Sequence, residues 1–409
     1  MRFRAFAFSA LAFLAAAATA ASPPPSPDIN LTAFANGALV ESVSNQYGGD
    51  WIAKWLTDEN AAKGWASEKG AKGPFTFVIS LPEKSEIHAF EFDTASVDGS
   101  EGTRGAKDVD VLVSDSATGT YAPLASIKLK PGADKQHFGI DTFVPARFIK
   151  LIIKSNNGDA DYTELMEFRA FGKQLTQTPM PTNLSGTYST ANYGLFHLQQ
   201  TGAALDGCYE HDGGRIQGGA ESHLMRITWT QTHSRGPAVM VLRRDGKSFE
   251  GWWADDGNSN SWNANWDLKK VSDAIGSCPH WNPKGANGNM VATELAASGR
   301  VRLYGINFDI DSDHLRGDAK PAVDQLLAAL KANPAWKIAI EGHTDSTGNA
   351  PHNLDLSKRR AASVKAALAA GGIDAGRMTT DGFGQTKPVA PNDTEIGRAQ
   401  NRRVEVVRQ

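Results

Sequence analysis

The sequence predicts a multidomain protein with a β-sandwich, a small antiparallel β domain and a C-terminal α+β domain. Three observations support this fold class. Residues 30–173 form short apolar or alternating stretches, residues 183–279 alternate aromatic with polar residues between glycine pairs, and helical and strand periodicities follow one another after residue 300. The length of 409 residues and the 41% hydrophobic content are typical of globular domains with ample cores.

The first residues have the pattern of a secretory signal peptide. Arg2 and Arg4 precede an apolar run that ends in a small-x-small cleavage site and is too short to span a membrane. We therefore predict a signal peptide over 1–20 and a stiff, proline-rich tether over 21–29. The mature chain is expected outside the cytoplasm, with no transmembrane span. Loss of the two arginines changes the formal charge from −3 to −5, which argues against a nucleic-acid partner.

Residues 30–173 predict the β-sandwich. The stretches 75–81, 87–94, 108–116 and 146–154 are alternating or continuously apolar, and glycine-rich or polar segments separate them. Short strands at this spacing are typical of an all-β sandwich.

Residues 183–279 predict an antiparallel barrel or sandwich, with hairpin turns at the glycine pairs. Its tryptophans could stack on sugar rings, but large aromatic residues more often fill barrel interiors. The only two cysteines, Cys208 and Cys278, both lie within this segment. In an oxidising compartment they could form a disulfide, and two free thiols are the alternative. A linker is predicted over 280–299.

Residues 300–409 predict an α+β domain. The stretch 321–331 places Val323 and its leucines on one helix face, and 336–342 alternates as a short strand. Ser357 is expected to cap the next helix at its N-terminus. Two further strands follow, which together give helices layered on a mixed sheet.

The chemistry is concentrated in one segment of that domain, EGHTDSTGNAPHNLDLSKRRAASV, residues 341–364. A metal site could draw on His343, Asp345 and His352, but these residues lack a recognised ligand spacing, and adjacent arginines would oppose a cation. The segment contains the residue types of a catalytic triad. It lacks the strained turn that would expose a nucleophile and the glycines that would form an oxyanion hole.

A ligand clamp uses the charges of this segment as they stand. A carboxylate can hold an ammonium group, and an arginine can hold a carboxylate with two parallel hydrogen bonds. The loop before the helix also offers backbone N–H groups to an anion. Together these groups would bind a zwitterion, such as the free end of an amino acid.

The same residues resemble the OmpA-like peptidoglycan-binding domain, over about residues 301–409. The resemblance rests on Asn307-Phe308-Asp309, Gly342-His343-Thr344-Asp345, Asn353, Leu356-Ser357 and Arg360-Ala361, and on the closing stretch GFGQTKPVAPNDTEIGRAQNRRVEV at 382–406. It implies a periplasmic domain that binds the diaminopimelate of cell-wall stem peptides without covalent chemistry. It further implies that Asp345 pairs with the ammonium group of diaminopimelate and Arg360 with its carboxylate. The supporting site residues that it implies are Thr344, Asn353, Arg402 and Arg403.

The first domain resembles the discoidin, or F5/8 type C, sandwich with its galactose-binding-like fold, through WLTDEN at 55–60, GWAS at 64–67 and ELMEFRAFG at 164–172. The resemblance implies a structural calcium ion, for which Asp58, Asn60 and Glu167 are the candidate ligands. The alternative is that these three residues are ordinary polar residues of the loops. The resemblance also implies sugar binding at the tip loops.

These expectations combine into a non-enzymatic, periplasmic cell-wall-tethering protein, positioned at the cell wall or the outer membrane. Peptidoglycan is the expected partner of the C-terminal domain, and a glycan or an envelope protein is the expected partner of the β domains. No cofactor is required, and a structural calcium ion in the first domain is the one candidate. The alternatives are a carbohydrate-active enzyme that uses the β domains for substrate, and a surface adhesin or scaffold with a protein partner.

Overall fold

The computed structural model describes residues 28–95, 102–176, 178, 183–255, 262–263, 266–281, 289–303, 306, 308–309, 311–316, 319–392 and 395–409. The predicted signal peptide and all but the last two residues of the predicted tether lie outside the described residues. Within the described part of the chain, no helix is both long and apolar enough to cross a membrane.

The N-terminal domain is the predicted β-sandwich. Its strands are Ile29–Asn30 (β1), Leu39–Val43 (β2), Trp65–Ala66 (β3), Phe75–Asp93 (β4), Asp108–Ser114 (β5), Ala122–Lys128 (β6), Gln136–Gly139 (β7), Pro145–Ile153 (β8), Glu164–Leu165 (β9) and Glu167–Gln174 (β10). The main sheet has the order β1-β10-β4-β8-β5-β6, while β2 and β7 also pair with β4, and β3 pairs with β9.

Strand β4 differs from the sequence expectation, which placed two strands at 75–81 and 87–94. A single strand runs through both, with a register shift between Ser80 and Ser85. Its first half pairs with β2 and β8, and its second half pairs with β7 and β10. One continuous strand therefore serves both parts of the sheet, because the intervening polar residues stay extended. Buried aromatic and aliphatic side chains, including Trp65, Phe77, Phe90 and Phe168, fill the core.

The middle domain is a closed antiparallel barrel, which resolves the choice between barrel and sandwich. Its strands are Gly186–Thr190 (β11), Leu195–Thr201 (β12), Ala204–Tyr209 (β13), Gly214–Glu221 (β14), Leu224–Thr230 (β15), Arg235–Leu242 (β16), Ser248–Trp253 (β17) and Leu268–Ser272 (β18). Trp229 and Trp266 are buried in the barrel core. Cys208 and Cys278 form a disulfide with an S–S distance of 2.08 Å.

The C-terminal domain has the predicted α+β architecture. Its elements are Met290–Ser298 (α1), Arg300–Arg302 (β19), Lys320–Ala332 (α2), Ile338–Gly342 (β20), Ala350–Ala370 (α3), Met378–Gly382 (β21), Glu395–Asn401 (α4) and Val404–Arg408 (β22). The sheet order is β19-β22-β20-β21, in which β20 and β21 are parallel and the other pairs are antiparallel.

Two expectations for this domain are wrong in detail. Helix α3 begins at Ala350 and is capped by the side chain of Asn349, so Ser357 lies inside the helix and is fully buried. Asn349 is the stronger start signal because Pro351 occupies the first helical turn. The linker predicted over 280–299 contains α1, whose Val291 and Leu295 pack into the C-terminal core.

The three domains pack against one another. An apolar cluster joins the sandwich to the barrel, and in it Phe34 stacks on Trp252 with ring centroids 3.9 Å apart. Trp55 of the sandwich also lies in this cluster.

Candidate functional site

The predicted clamp lies on the wall of a cavity of about 670 Å³, formed where the three domains meet. The C-terminal domain contributes the loop after β20 and one face of α3. The barrel contributes the outer face of β14 to β16, and the sandwich contributes residues around β1 and the turn inside β4. The clamp therefore faces the two β domains.

Asp345 is held at the end of β20 with its carboxylate in two contacts. Its Oδ1 atom accepts a hydrogen bond from the Thr347 backbone N–H at 2.8 Å, and its Oδ2 atom pairs with Nη1 of Arg402 at 2.6 Å. The residue is 5% exposed. A fixed, buried carboxylate at this position is suited to receive a cation, and Arg402 supplies that charge in this structure.

Thr344 and Asn353 shape the loop around Asp345. The Thr344 hydroxyl donates to the Asp345 carbonyl at 2.9 Å. The Asn353 side-chain amide donates to the carbonyls of Asp345 and Thr347 and to Oε1 of Gln385, at 3.2, 2.9 and 2.9 Å. Because these two residues satisfy buried carbonyl groups, they fix the backbone that carries Asp345.

Arg360 reaches the cavity from α3. Its Nε atom donates to the Ser312 carbonyl at 2.9 Å, and its guanidinium lies 5.0 Å from the centre of the Phe308 ring. Burial, followed by the positive charge of Arg402, lowers the pKa of Arg360 to about 10. Among the described residues, none accepts a hydrogen bond from its two Nη atoms. The structure thus presents a partly desolvated fork whose outer donors remain available to an anion.

The two arginines of the closing motif have different surroundings. Arg402 faces the cavity and pairs with Asp345. Arg403 donates from Nε to Oε1 of Glu405 at 2.5 Å and from Nη2 to the Lys387 carbonyl at 3.2 Å. Arg403 therefore braces β22, and of the two only Arg402 touches a clamp residue.

The histidines of the segment do not come together as a metal site. His352 pairs with Asp311 at 2.6 Å, whereas His343 stacks on Phe383 with ring centroids 5.4 Å apart. His343 is 2% exposed, and burial together with the charge of Arg403 lowers its pKa to about 4.

Among the described residues, the group of side chains that could hold a metal ion is Glu341, His343 and Glu405, with ligand atoms within 4.8 Å of one another. Arg300 contacts both glutamates. Burial opposes ionisation of Glu405, but Arg403 and Arg300 outweigh it and lower the pKa of Glu405 to about 2. Since arginines already neutralise these carboxylates, we interpret the group as a structural ion-pair network.

The candidate calcium ligands of the sandwich lie partly together. The carboxyl groups of Asp58 and Glu167 are buried, and both accept a hydrogen bond from the Asn60 backbone N–H, at 3.1 Å in each case. Oδ2 of Asp58 and Oε2 of Glu167 are buried without a hydrogen-bond partner, and Nη2 of Arg169 lies 3.6 Å from Oε2 of Glu167. Burial raises the pKa of both groups. The Asn60 side-chain oxygen instead accepts from the Ala62 N–H, so Asn60 contributes backbone rather than a side-chain ligand.

Comparison with known proteins identifies the clamp domain. Residues 307–402 match the model of the OmpA family. The C-terminal segment is an OmpA-family domain. Two relatives match this domain. Outer membrane protein A of Bordetella avium is 44% identical over 99 residues, which are 24% of this chain and 51% of that protein. The peptidoglycan-associated lipoprotein of Brucella melitensis is 39% identical over 102 residues, which are 25% of this chain and 61% of that protein.

The chain thus spans less than two thirds of either relative. Upstream of the OmpA-family domain, residues 56–174 match a model described as Sad1 / UNC-like C-terminal. A solved fragment of a putative chitobiase from Bacteroides thetaiotaomicron is 19% identical, with a TM-score of 0.33, over 38% of this chain and 97% of that fragment.

Sequence reasoning did not find the partners that the OmpA-family domain gains from the other domains. Arg316 pairs with Glu221 of the barrel at 3.0 Å, and Arg398 of α4 lies 3.4 Å from Glu59 of the sandwich. The two partners of each pair lie far apart in sequence and no motif contains both, so only the packing of the domains brings them together.

Proposed function

We propose that the OmpA-family domain binds the diaminopimelate residue of peptidoglycan stem peptides and holds the protein at the cell wall. The observation that carries this proposal is the Arg360 guanidinium, which is partly buried at the cavity wall with both Nη atoms directed to no described acceptor. A buried cation is costly to keep unless it has a partner. An anionic ligand supplies that partner.

The charges on the cavity wall complement one end of diaminopimelate. Asp345 receives the ammonium group, in exchange for Arg402, and Arg360 receives the carboxylate with a two-pronged hydrogen bond. The name of the Brucella relative, peptidoglycan-associated lipoprotein, supports the same ligand class. Complementary charge needs no nucleophile or proton transfer, so we propose a non-enzymatic role in the periplasm.

The test is sedimentation of the full chain with insoluble peptidoglycan of two chemistries. Diaminopimelate-type and lysine-type peptidoglycan differ at this residue by the carboxylate assigned to Arg360. We expect the protein to pellet with the first and poorly with the second. Arg360→Met and Asp345→Asn should both abolish pelleting with the diaminopimelate type, whereas the neighbouring Arg359→Met serves as the matched control.

Arg359 is a suitable control because its side chain is 40% exposed and pairs with Asp313 and Asp355. Equal pelleting with both peptidoglycan types would contradict the role of Arg360. Equal pelleting by the two clamp variants and the unchanged protein would contradict the whole site. Release of soluble fragments from the cell wall would contradict the non-enzymatic role.

For the β domains we propose glycan binding at the end of the sandwich. Tyr47 is 57% exposed, lies edge-on to Tyr162 at 6.0 Å, and the Arg104 guanidinium lies 4.9 Å from the centre of the Tyr162 ring. Exposed aromatic faces beside a charged group are suited to stack on sugar rings. Trp55 is buried against the barrel and does not serve this purpose.

We also propose that Asp58 and Glu167 hold a calcium ion. Two buried carboxyl groups, each with an oxygen that lacks a hydrogen-bond partner, match the oxygen ligands that calcium prefers. A bound divalent cation would stabilise the ionised form of both groups against the cost of burial.

A further inference from the structure

The cavity continues past the clamp to the outer face of the barrel. Strand β15 alternates, so that Met225 and Ile227 point into the barrel core while Arg226 and Thr228 line the cavity. Glu221 lines it from the end of β14. The barrel wall of the cavity therefore carries a carboxylate and a guanidinium among apolar residues such as Leu224 and Val239.

Arg226 contacts both the sandwich and its own barrel. Its Nη2 atom donates to the Ala35 carbonyl of the sandwich at 2.9 Å, and its Nη1 atom lies 3.4 Å from Oε2 of Glu221. The other oxygen of Glu221 pairs with Arg316 of the OmpA-family domain at 3.0 Å. One chain of polar contacts thus fixes the position of Arg226 relative to the sandwich, the barrel and the OmpA-family domain.

The cavity is larger than a clamp for one amino acid end requires. Pockets of about 300–1,000 Å³ enclose ligands of drug size, and this cavity has about 670 Å³. That volume accommodates diaminopimelate together with a neighbouring residue of the stem peptide. The neighbour on the N-terminal side is a γ-linked glutamate, which keeps a free α-carboxylate.

We propose that Arg226 of the barrel binds this second carboxylate, so that the peptide site is shared between the OmpA-family domain and the β domains. This inference rests on the proposed function, since it assumes that diaminopimelate occupies the clamp. The ligand carboxylate would compete for Nη1 of Arg226 with Oε2 of Glu221, which lies 3.4 Å away. The barrel then contributes to recognition of the peptide beyond its diaminopimelate residue.

Isothermal titration calorimetry on the full chain tests this proposal with two probes. The first is free meso-diaminopimelate, and the second is the tripeptide L-alanyl-γ-D-glutamyl-meso-diaminopimelate. The unchanged protein should bind the tripeptide at least tenfold more tightly than the amino acid, as a charge-assisted hydrogen bond implies. Arg226→Gln should lose that gain and bind free diaminopimelate as before. Arg235→Gln, on an exposed position of the same barrel, is the matched control.

Each remaining outcome overturns one proposal or both. If Arg226→Gln binds the tripeptide as tightly as the unchanged protein does, while Asp345→Asn binds neither probe, the shared site is refuted and the clamp stands. If Arg226→Gln loses both probes while Arg235→Gln keeps them, Arg226 holds the domains together and does not bind the peptide. If the unchanged protein binds neither probe, the clamp itself is refuted.

Discussion

Replacing Arg360 by methionine should abolish diaminopimelate binding without unfolding the protein. Burial and the charge of Arg402 lower the pKa of Arg360 to about 10. Because the folded chain holds the proton less tightly than the unfolded chain, the charged form is destabilised by folding. Each pKa unit corresponds to about 1.4 kcal/mol, so the charge costs the folded state about 3 kcal/mol. At neutral pH arginine is charged in both states, and this cost is fully present.

Two interactions offset that cost and would be lost with it. The hydrogen bond from Nε to the Ser312 carbonyl is made by a charged donor and contributes roughly 1.5–3 kcal/mol. The contact with the Phe308 ring adds about 0.5–1 kcal/mol. Methionine keeps much of the apolar side-chain stem. We therefore expect the free energy of unfolding of Arg360→Met to stay within about 2 kcal/mol of the unchanged protein.

The assay combines urea unfolding followed by circular dichroism with calorimetric titration of diaminopimelate, with Arg359→Met as the control. Loss of binding at nearly unchanged stability would show that Arg360 is kept for the ligand. A loss of more than about 4 kcal/mol would refute the reasoning, because it would make Arg360 a structural residue whose buried charge is well satisfied by the protein.

Three further predictions concern stability. Calcium should raise the melting temperature of the protein, and Glu167→Gln should remove that response. With chelator present at neutral pH, Glu167→Gln should be more stable than the unchanged chain, because burial raises the pKa of Glu167 and Asp58. Cys208→Ser with Cys278→Ser should cost about 4 kcal/mol in denaturant unfolding, from a separation of 70 residues, and an unchanged midpoint would contradict it. The lowered pKa of His343, about 4, predicts stability that is complete above pH 6.5 and lost as the pH falls towards 4; His343→Leu should flatten that dependence in thermal melts.

The fold class was predictable because its signals are local. Period-two alternation gave the strands of both β domains, and the leucines of α2 gave a helix face. The wrong expectations concern positions whose local structure depends on tertiary contacts. Ser357 resembles a cap in sequence, but in the fold its hydroxyl donates to the Leu354 carbonyl and accepts from the Gly384 N–H. A buried serine in the middle of a helix is stabilised by a neighbouring loop that the local pattern does not reveal.

The proximity of the proposed clamp residues was predictable to a similar extent. Asp345, Thr344 and Asn353 lie within one segment, so their proximity follows from a single loop and the helix after it. Arg402 joins them from 57 residues away, and the pattern of the closing motif could not distinguish it from Arg403. What separates the two is the carboxylate with which each side chain pairs. Arg402 faces Asp345, and Arg403 faces Glu405.

The enclosure of the clamp by the β domains could not be predicted, for a physical reason. An apolar side chain that packs on its own domain and one that packs on a neighbour have the same sequence pattern, as Trp55 and Trp252 show in the cluster between sandwich and barrel. Polar contacts such as Arg398 with Glu59 leave no periodic signal at all. Because Arg398 belongs to the helix that leads into Arg402, the position of the sandwich also bears on the arginine that neutralises Asp345. Ligand affinity should therefore respond to changes at the domain interfaces as well as in the clamp.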